Sequence, residues 1–180
     1  MTQPGADSGV VILVPEAEPL VAAARAAWDR SAAVGVPAHI TLLYPFVPAR
    51  EIDDDVVDRL AAAVSGFSPF SFVLTATGRF PGVLYLAPEP ASTFAALTAA
   101  LAHEFPDHPP YKGAHAHVVP HLTVADRPDA PLDLLEPTVT PEAPIVARAR
   151  DVCVVARNDD GRWRVTLRLA LGARADVIPR

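Results

Sequence analysis

The sequence predicts an α+β fold of two similar lobes, with antiparallel sheets lining a central groove and helices on the outside. Three observations predict it. Short apolar runs alternate with Ala- and Leu-rich helical stretches along the whole chain. The order strand, helix, strand then occurs twice. Finally, Leu13-Val14-Pro15-Glu16 matches Leu86-Ala87-Pro88-Glu89, and Val36-Pro37-Ala38-His39-Ile40-Thr41-Leu42 matches Val118-Val119-Pro120-His121-Leu122-Thr123-Val124. Two copies are too few for a solenoid, which leaves two lobes about a pseudo-twofold axis.

The elements follow in order. Val10 to Val14 is a short apolar run closed by Pro15, preceded by residues 1–9, which are expected to form a flexible tail. An Ala-rich helix is expected from about Ala17 to Ser31. Gly35 and Pro37 break the chain before His39-Ile40-Thr41-Leu42-Leu43-Tyr44, whose alternation reads as a half-buried strand. A second helix runs from about Ile52 to Val64, its acidic start suiting the positive end of the helix dipole. Phe70 to Leu74 and Val83 to Ala87 read as strands, and Ser92 to Glu104 as a helix with Leu97 and Leu101 on one face. Beyond a Pro- and His-containing loop, a strand is expected around Val118 to Ala125, then a Pro-punctuated segment from Pro128 to Pro144. Ile145 to Arg157 and Arg162 to Leu171 are the closing strands, joined at Asn158-Asp159-Asp160-Gly161, whose residues tolerate a positive φ. The alternation of Arg162, Arg164, Thr166 and Arg168 with Trp163, Val165, Leu167 and Leu169 predicts a solvated face and a core face.

A chain of 180 residues that is 51% apolar buries roughly 70% of its unfolded surface as one domain, here residues 10–180, without disulfides or a structural metal. The single cysteine, Cys153, lies in the apolar run Val152 to Val155 and reads as a buried hydrophobe in a reducing compartment. No run approaches the roughly 18 apolar residues of a membrane helix, and residues 1–9 lack the pattern of a signal peptide, so a cytoplasmic monomer without a membrane partner is expected. A net charge of -6 opposes binding of long nucleic acid and leaves a small anionic substrate open.

The chemistry lies in the repeat. On a strand, residues i and i+2 share a face, so His39 projects with Thr41 and His121 with Thr123. Six His and ten Thr in this length predict about 0.3 His-x-Thr triplets by chance, and the chain has two in equivalent places. Two imidazoles over one groove suit in-line displacement at phosphorus, where a neutral ring takes a proton from the attacking oxygen and a protonated ring gives one to the leaving oxygen. The threonine hydroxyls are placed to donate to the non-bridging oxygens. The scheme needs no metal and no cofactor.

The paired His39-Ile40-Thr41 and His121-Leu122-Thr123, their separation and the duplicated order resemble the 2H phosphoesterases, in particular the branch of 2′-5′ RNA ligases and cyclic phosphodiesterases. That resemblance implies a metal-independent enzyme acting on 2′,3′-cyclic phosphates or 2′-5′ linkages, with a role in RNA processing. It makes His39 and His121 catalytic and Thr41 and Thr123 phosphate-binding. Several RNA-processing relatives carry a basic residue directly after the second motif's strand. This chain has Asp126 there and Arg127 one position later, which shifts the expected substrate from long RNA to a small cyclic nucleotide or a short RNA end.

Tyr44, Phe80, His115, His117 and Arg127 are further candidate substrate contacts, the aromatic rings because they stack on bases. His115, His117 and His121 also have a spacing open to metal ligation, although no cysteine completes a set and the repeat already accounts for His121. A binding module with the same fold and both motifs, sensing a nucleotide without turnover, is the alternative from another class.

Overall fold

A computed structural model describes residues 7–113 and 118–172 of the chain; His115 and His117 lie outside the described residues. Eight strands, β1 (Ser8–Leu13), β2 (His39–Leu43), β3 (Phe70–Phe80), β4 (Val83–Glu89), β5 (Leu122–Ala125), β6 (Ile145–Ala149), β7 (Asp151–Arg157) and β8 (Trp163–Ala170), form one sheet. Its order is β6-β3-β4-β5-β2-β1-β7-β8, with every neighbouring pair antiparallel. The two expected lobes are therefore the halves of one sheet, meeting where β2 pairs with β5 at Ile40 and Leu122.

The sheet has to curl. β6 stands first in the order and β7 seventh, about 29 Å apart if the sheet were flat, yet only Arg150 separates them in the chain. One residue spans at most about 7 Å, so the outer strands are drawn towards each other. The expected strand from Ile145 to Arg157 is thus a strap, its first half pairing with β3 and its second with β1.

Helices α1 (Glu18–Trp28), α2 (Arg30–Ala33), α3 (Asp54–Ser65), α4 (Ser92–Glu104) and α5 (Leu132–Val139) join the strands. Asp29 ends α1 and caps α2 by accepting the Ser31 N–H, which divides the helix expected to run through to Ser31. In the same way Asp53 caps α3 through the Val56 N–H. The halves interlock: α1 packs on β5 of the other half, and α4 packs on β2. The main core, including Ile12, Ile40, Phe94, Leu97 and Leu122, lies on this helical side.

Further sequence expectations are corrected or refined. β1 begins at Ser8, which is buried and donates to the Val47 carbonyl, so residues 7–9 belong to the fold and not to a flexible tail. α5 forms inside the Pro-punctuated segment because Pro131 supplies the carbonyl that accepts from Leu134 and Leu135, while Pro137 comes late in a helix of 8 residues. The register makes Ile12 the equivalent of Leu86, since they pair with Ile40 and Leu122, one residue away from the match of Leu13 with Leu86 read in the sequence. Finally, a bulge between Val154 and Val155 leaves Thr166 as the extra residue of β8 and sends its apolar side chains to two places. Leu167 and Leu169 join the main core, whereas Trp163 and Val165 join a second apolar cluster with Val11, Val36, Cys153 and Val155 on the opposite face.

Candidate active site

Ile40 and Leu122 are fully buried on the helical side, so their strand neighbours His39, Thr41, His121 and Thr123 point to the opposite face. In this register His39 stands across from Thr123, and Thr41 across from His121. Diagonal neighbours on such a pair are roughly 7–8 Å apart, a span that a phosphoryl group fits. All four residues are half-buried, and among the described residues neither threonine hydroxyl has a protein partner.

Each imidazole is held in the same way. His39 Nδ1 lies 2.7 Å from the Pro37 carbonyl, and His121 Nδ1 lies 2.8 Å from the Val119 carbonyl, in both cases two residues upstream. A carbonyl only accepts, so Nδ1 carries the proton and Nε2 is left to accept or donate. Burial lowers the His39 pKa below its ordinary value; the Pro37 hydrogen bond opposes this, the Arg25 cation adds to it, Asp29 offsets it, and positive charge on His121 lowers it again. Burial likewise lowers the His121 pKa, against the pull of the Val119 carbonyl.

The walls beside the pair differ. On one side Tyr85 pairs with Thr123, and Phe80 stacks on the Tyr85 ring at 4.4 Å. His121 meets both rings, at 5.1 Å from Phe80 and 5.3 Å from Tyr85. Tyr85 reaches this position by lying over Gly78, where an added Cβ would collide with the ring. Gly78→Ala is expected to push Tyr85 off His121 and to lower stability by about 1–3 kcal/mol. Thermal denaturation reads this, and an unchanged melting temperature contradicts it.

On the other side Val11 pairs with Thr41, and Cys153 pairs with Val11; both are nearly inaccessible, at 2% and 1%. They are covered by the second apolar cluster, to which the segment before His39 contributes Val34 and Val36. Gly35, at φ +104, brings that segment against the Trp163 carbonyl, and Trp163 donates its N–H to Val34. Burial raises the Cys153 pKa despite the nearby Arg168.

The sequence-derived contacts are distributed accordingly. Phe80 stands against His121. Tyr44 lies in the second apolar cluster, its ring 6.2 Å from that of Trp163. Arg127 donates its N–H to the Trp28 carbonyl, and its Nε is buried without a partner among the described residues. Asp126, which breaks the basic pattern, instead ties two distant segments together. Its carboxylate accepts from the Arg30 backbone at 2.9 Å and from Arg30 Nε at 3.0 Å, and its carbonyl accepts from Arg30 Nη2 at 2.7 Å. Tyr85 and Gly78 were not singled out in the sequence; the aromatic-apolar alternation of Val83 to Ala87 and a glycine in the preceding strand are their only signals.

Comparison with known proteins agrees with the fold. A crystal structure of TT0787 from Thermus thermophilus is similar at 22% identity and TM-score 0.63, covering 93% of this chain and 99% of that one. E. coli LigT complexed with 3′-AMP is similar at 18% identity and TM-score 0.59, with the same coverages. LigT complexed with NADP+ gives 19% and 0.57, covering 94% of this chain and 99% of that one. No curated protein matches the chain. Residues 13–161 match the 2′-5′ RNA ligase superfamily as a family, and so, with both repeats inside the match, the protein belongs to the 2′-5′ RNA ligase superfamily.

Proposed function

We propose that the protein is a metal-independent phosphodiesterase that opens 2′,3′-cyclic phosphates of nucleotides or short RNA ends. The observation that carries this reading is the matched pair of imidazoles on one sheet face, each tied through Nδ1 to a carbonyl and each leaving Nε2 for the reaction. Water attacks phosphorus in line and loses its proton to Nε2 of one histidine. One ring P–O bond breaks, and its oxygen takes a proton from Nε2 of the other, leaving a phosphomonoester and a free ribose hydroxyl. His39 is assigned as the base and His121 as the acid, because burial foremost lowers the His39 pKa and the Arg25 cation and a charged His121 add to it, against the Pro37 hydrogen bond and Asp29. Thr41 and Thr123 donate to the non-bridging oxygens as charge develops there. A 5′-hydroxyl of RNA in place of water gives a 2′-5′ linkage by the same proton transfers.

Phe80, backed by Tyr85, forms the wall on which a base stacks beside the phosphate. LigT has been crystallised with 3′-AMP, NADP+ and ATP, ligands of the size proposed for this groove. The test is turnover of 2′,3′-cyclic nucleotides and short cyclic-phosphate RNA ends with and without EDTA. Turnover is expected to persist in the chelator. Loss of activity with EDTA would favour a metal held by His115, His117 and His121, and binding without turnover would favour a nucleotide-sensing module.

A further inference from the structure

We infer that Arg25 and Glu18 are positioning residues for His39, clamping the segment Val36-Pro37-Ala38 whose central carbonyl holds the imidazole. The inference rests on the phosphodiesterase reading of the groove. Proline has no N–H, so Pro37 cannot be anchored as a donor, and the direction of its carbonyl is set through its neighbours. Both neighbours are held by α1. Arg25 Nη2 donates to the Val36 carbonyl at 3.1 Å, and Glu18 Oε1 accepts the Ala38 N–H at 2.6 Å. The two side chains face each other, with Arg25 Nη1 3.6 Å from the same Glu18 oxygen. From the strand side, the Val14 N–H reaches the Ala38 carbonyl at 2.8 Å.

Arg25 is a built hub and not a surface cation. It is 3% exposed, and its Nε and Nη2 engage Asp29 at 2.9 and 2.8 Å, while Nη2 also reaches Ser31 Oγ at 3.3 Å. A buried guanidinium is strongly desolvated and persists only where its donors are matched. Here one of those donors is spent on a main-chain carbonyl next to Pro37, a use that packing α1 on the sheet does not require. The second motif has no counterpart among the described residues, since the segment carrying the Val119 carbonyl has no side-chain hydrogen bond there besides that of His121 itself. The clamp therefore serves one histidine of the pair. The charged groups facing His39 are Arg25 and Asp29 from the helix side and His121 from β5, with Glu18 at the clamp itself.

The test compares wild type with Glu18→Ala, Glu18→Gln and Arg25→Lys by 15N NMR of the imidazoles, alongside kcat and KM. In wild type, neutral His39 is expected to show one tautomer, protonated at Nδ1. Glu18→Ala and Arg25→Lys are expected to mix the tautomers of His39 while leaving His121 unchanged, and to lower kcat about 10- to 100-fold with KM within about twofold. Glu18→Gln, whose amide oxygen accepts the same N–H, is expected to restore the single tautomer. Glu18 is at the protein surface on one side, so its alanine variant is expected to fold, and a thermal melt verifies this for every variant. A His39 spectrum and kcat unchanged in both Glu18→Ala and Arg25→Lys would overturn the inference. Because the spectra need no substrate, a wild-type protein without cyclic phosphodiesterase activity would remove the functional reading while the spectra still decide the clamp.

Discussion

Replacing either His39 or His121 with alanine is expected to lower kcat for opening a 2′,3′-cyclic phosphate by about 10²- to 10⁴-fold, the range for losing one proton transfer. KM should change little, because the hydroxyls of Thr41 and Thr123 and the Phe80 wall remain. The double replacement should fall well short of the product of the single effects: once one transfer is lost the concerted path is broken, and the second ring has less left to contribute. Neither ring is fully enclosed, and each makes one hydrogen bond to a carbonyl, so the melting temperatures of the single variants should stay close to that of the wild type. A single variant that retains more than about a tenth of wild-type kcat would remove that histidine from the chemistry.

The second large effect is on pH. On the proposed mechanism, kcat/KM requires His39 neutral and His121 protonated in the free enzyme, which gives a bell-shaped profile with its acid limb from His39 and its alkaline limb from His121. Burial places both folded-state pKa values below 6.5, so the maximum is expected below pH 6.5, with kcat/KM falling about tenfold per pH unit beyond the alkaline limb. An optimum above neutrality would contradict this assignment. The sign for stability is opposite. The unfolded chain binds more protons than the folded one in the window from 6.5 down to the two folded-state values, so stability falls as pH is lowered through it. Rate and thermal denaturation measured over the same pH series should therefore move in opposite directions between pH 6.5 and the rate maximum.

Much of the candidate site's placement was legible because its signals are local. A two-residue period places His39 with Thr41 and His121 with Thr123 whatever the sheet around them, and a duplicated motif marks the halves. What escaped the sequence depended on partners far along the chain. The bulge in β8 is a property of its pairing with β7, and nothing within Trp163 to Leu169 announces that the apolar side chains serve two clusters. The offset between the sequence match and the structural register arises likewise from irregular pairing of β1 with β2 and of β4 with β5. Asp126 looked like a missing cation because its partner, Arg30, is 96 residues away. Gly78 is needed only because a ring from the neighbouring strand crosses it. The helix at Leu132–Val139 was hidden by its prolines, which bracket and cap it more than they interrupt it.

The strap from Ile145 to Arg157 has a consequence for how the two halves of the sheet can move. Its two ends belong to different halves of the sheet, with a single residue between them, and a hinge-like opening would have to tear one of its ladders. The spacing of the two imidazole-bearing halves is consequently set when the chain folds, like the fixed jaws of a caliper.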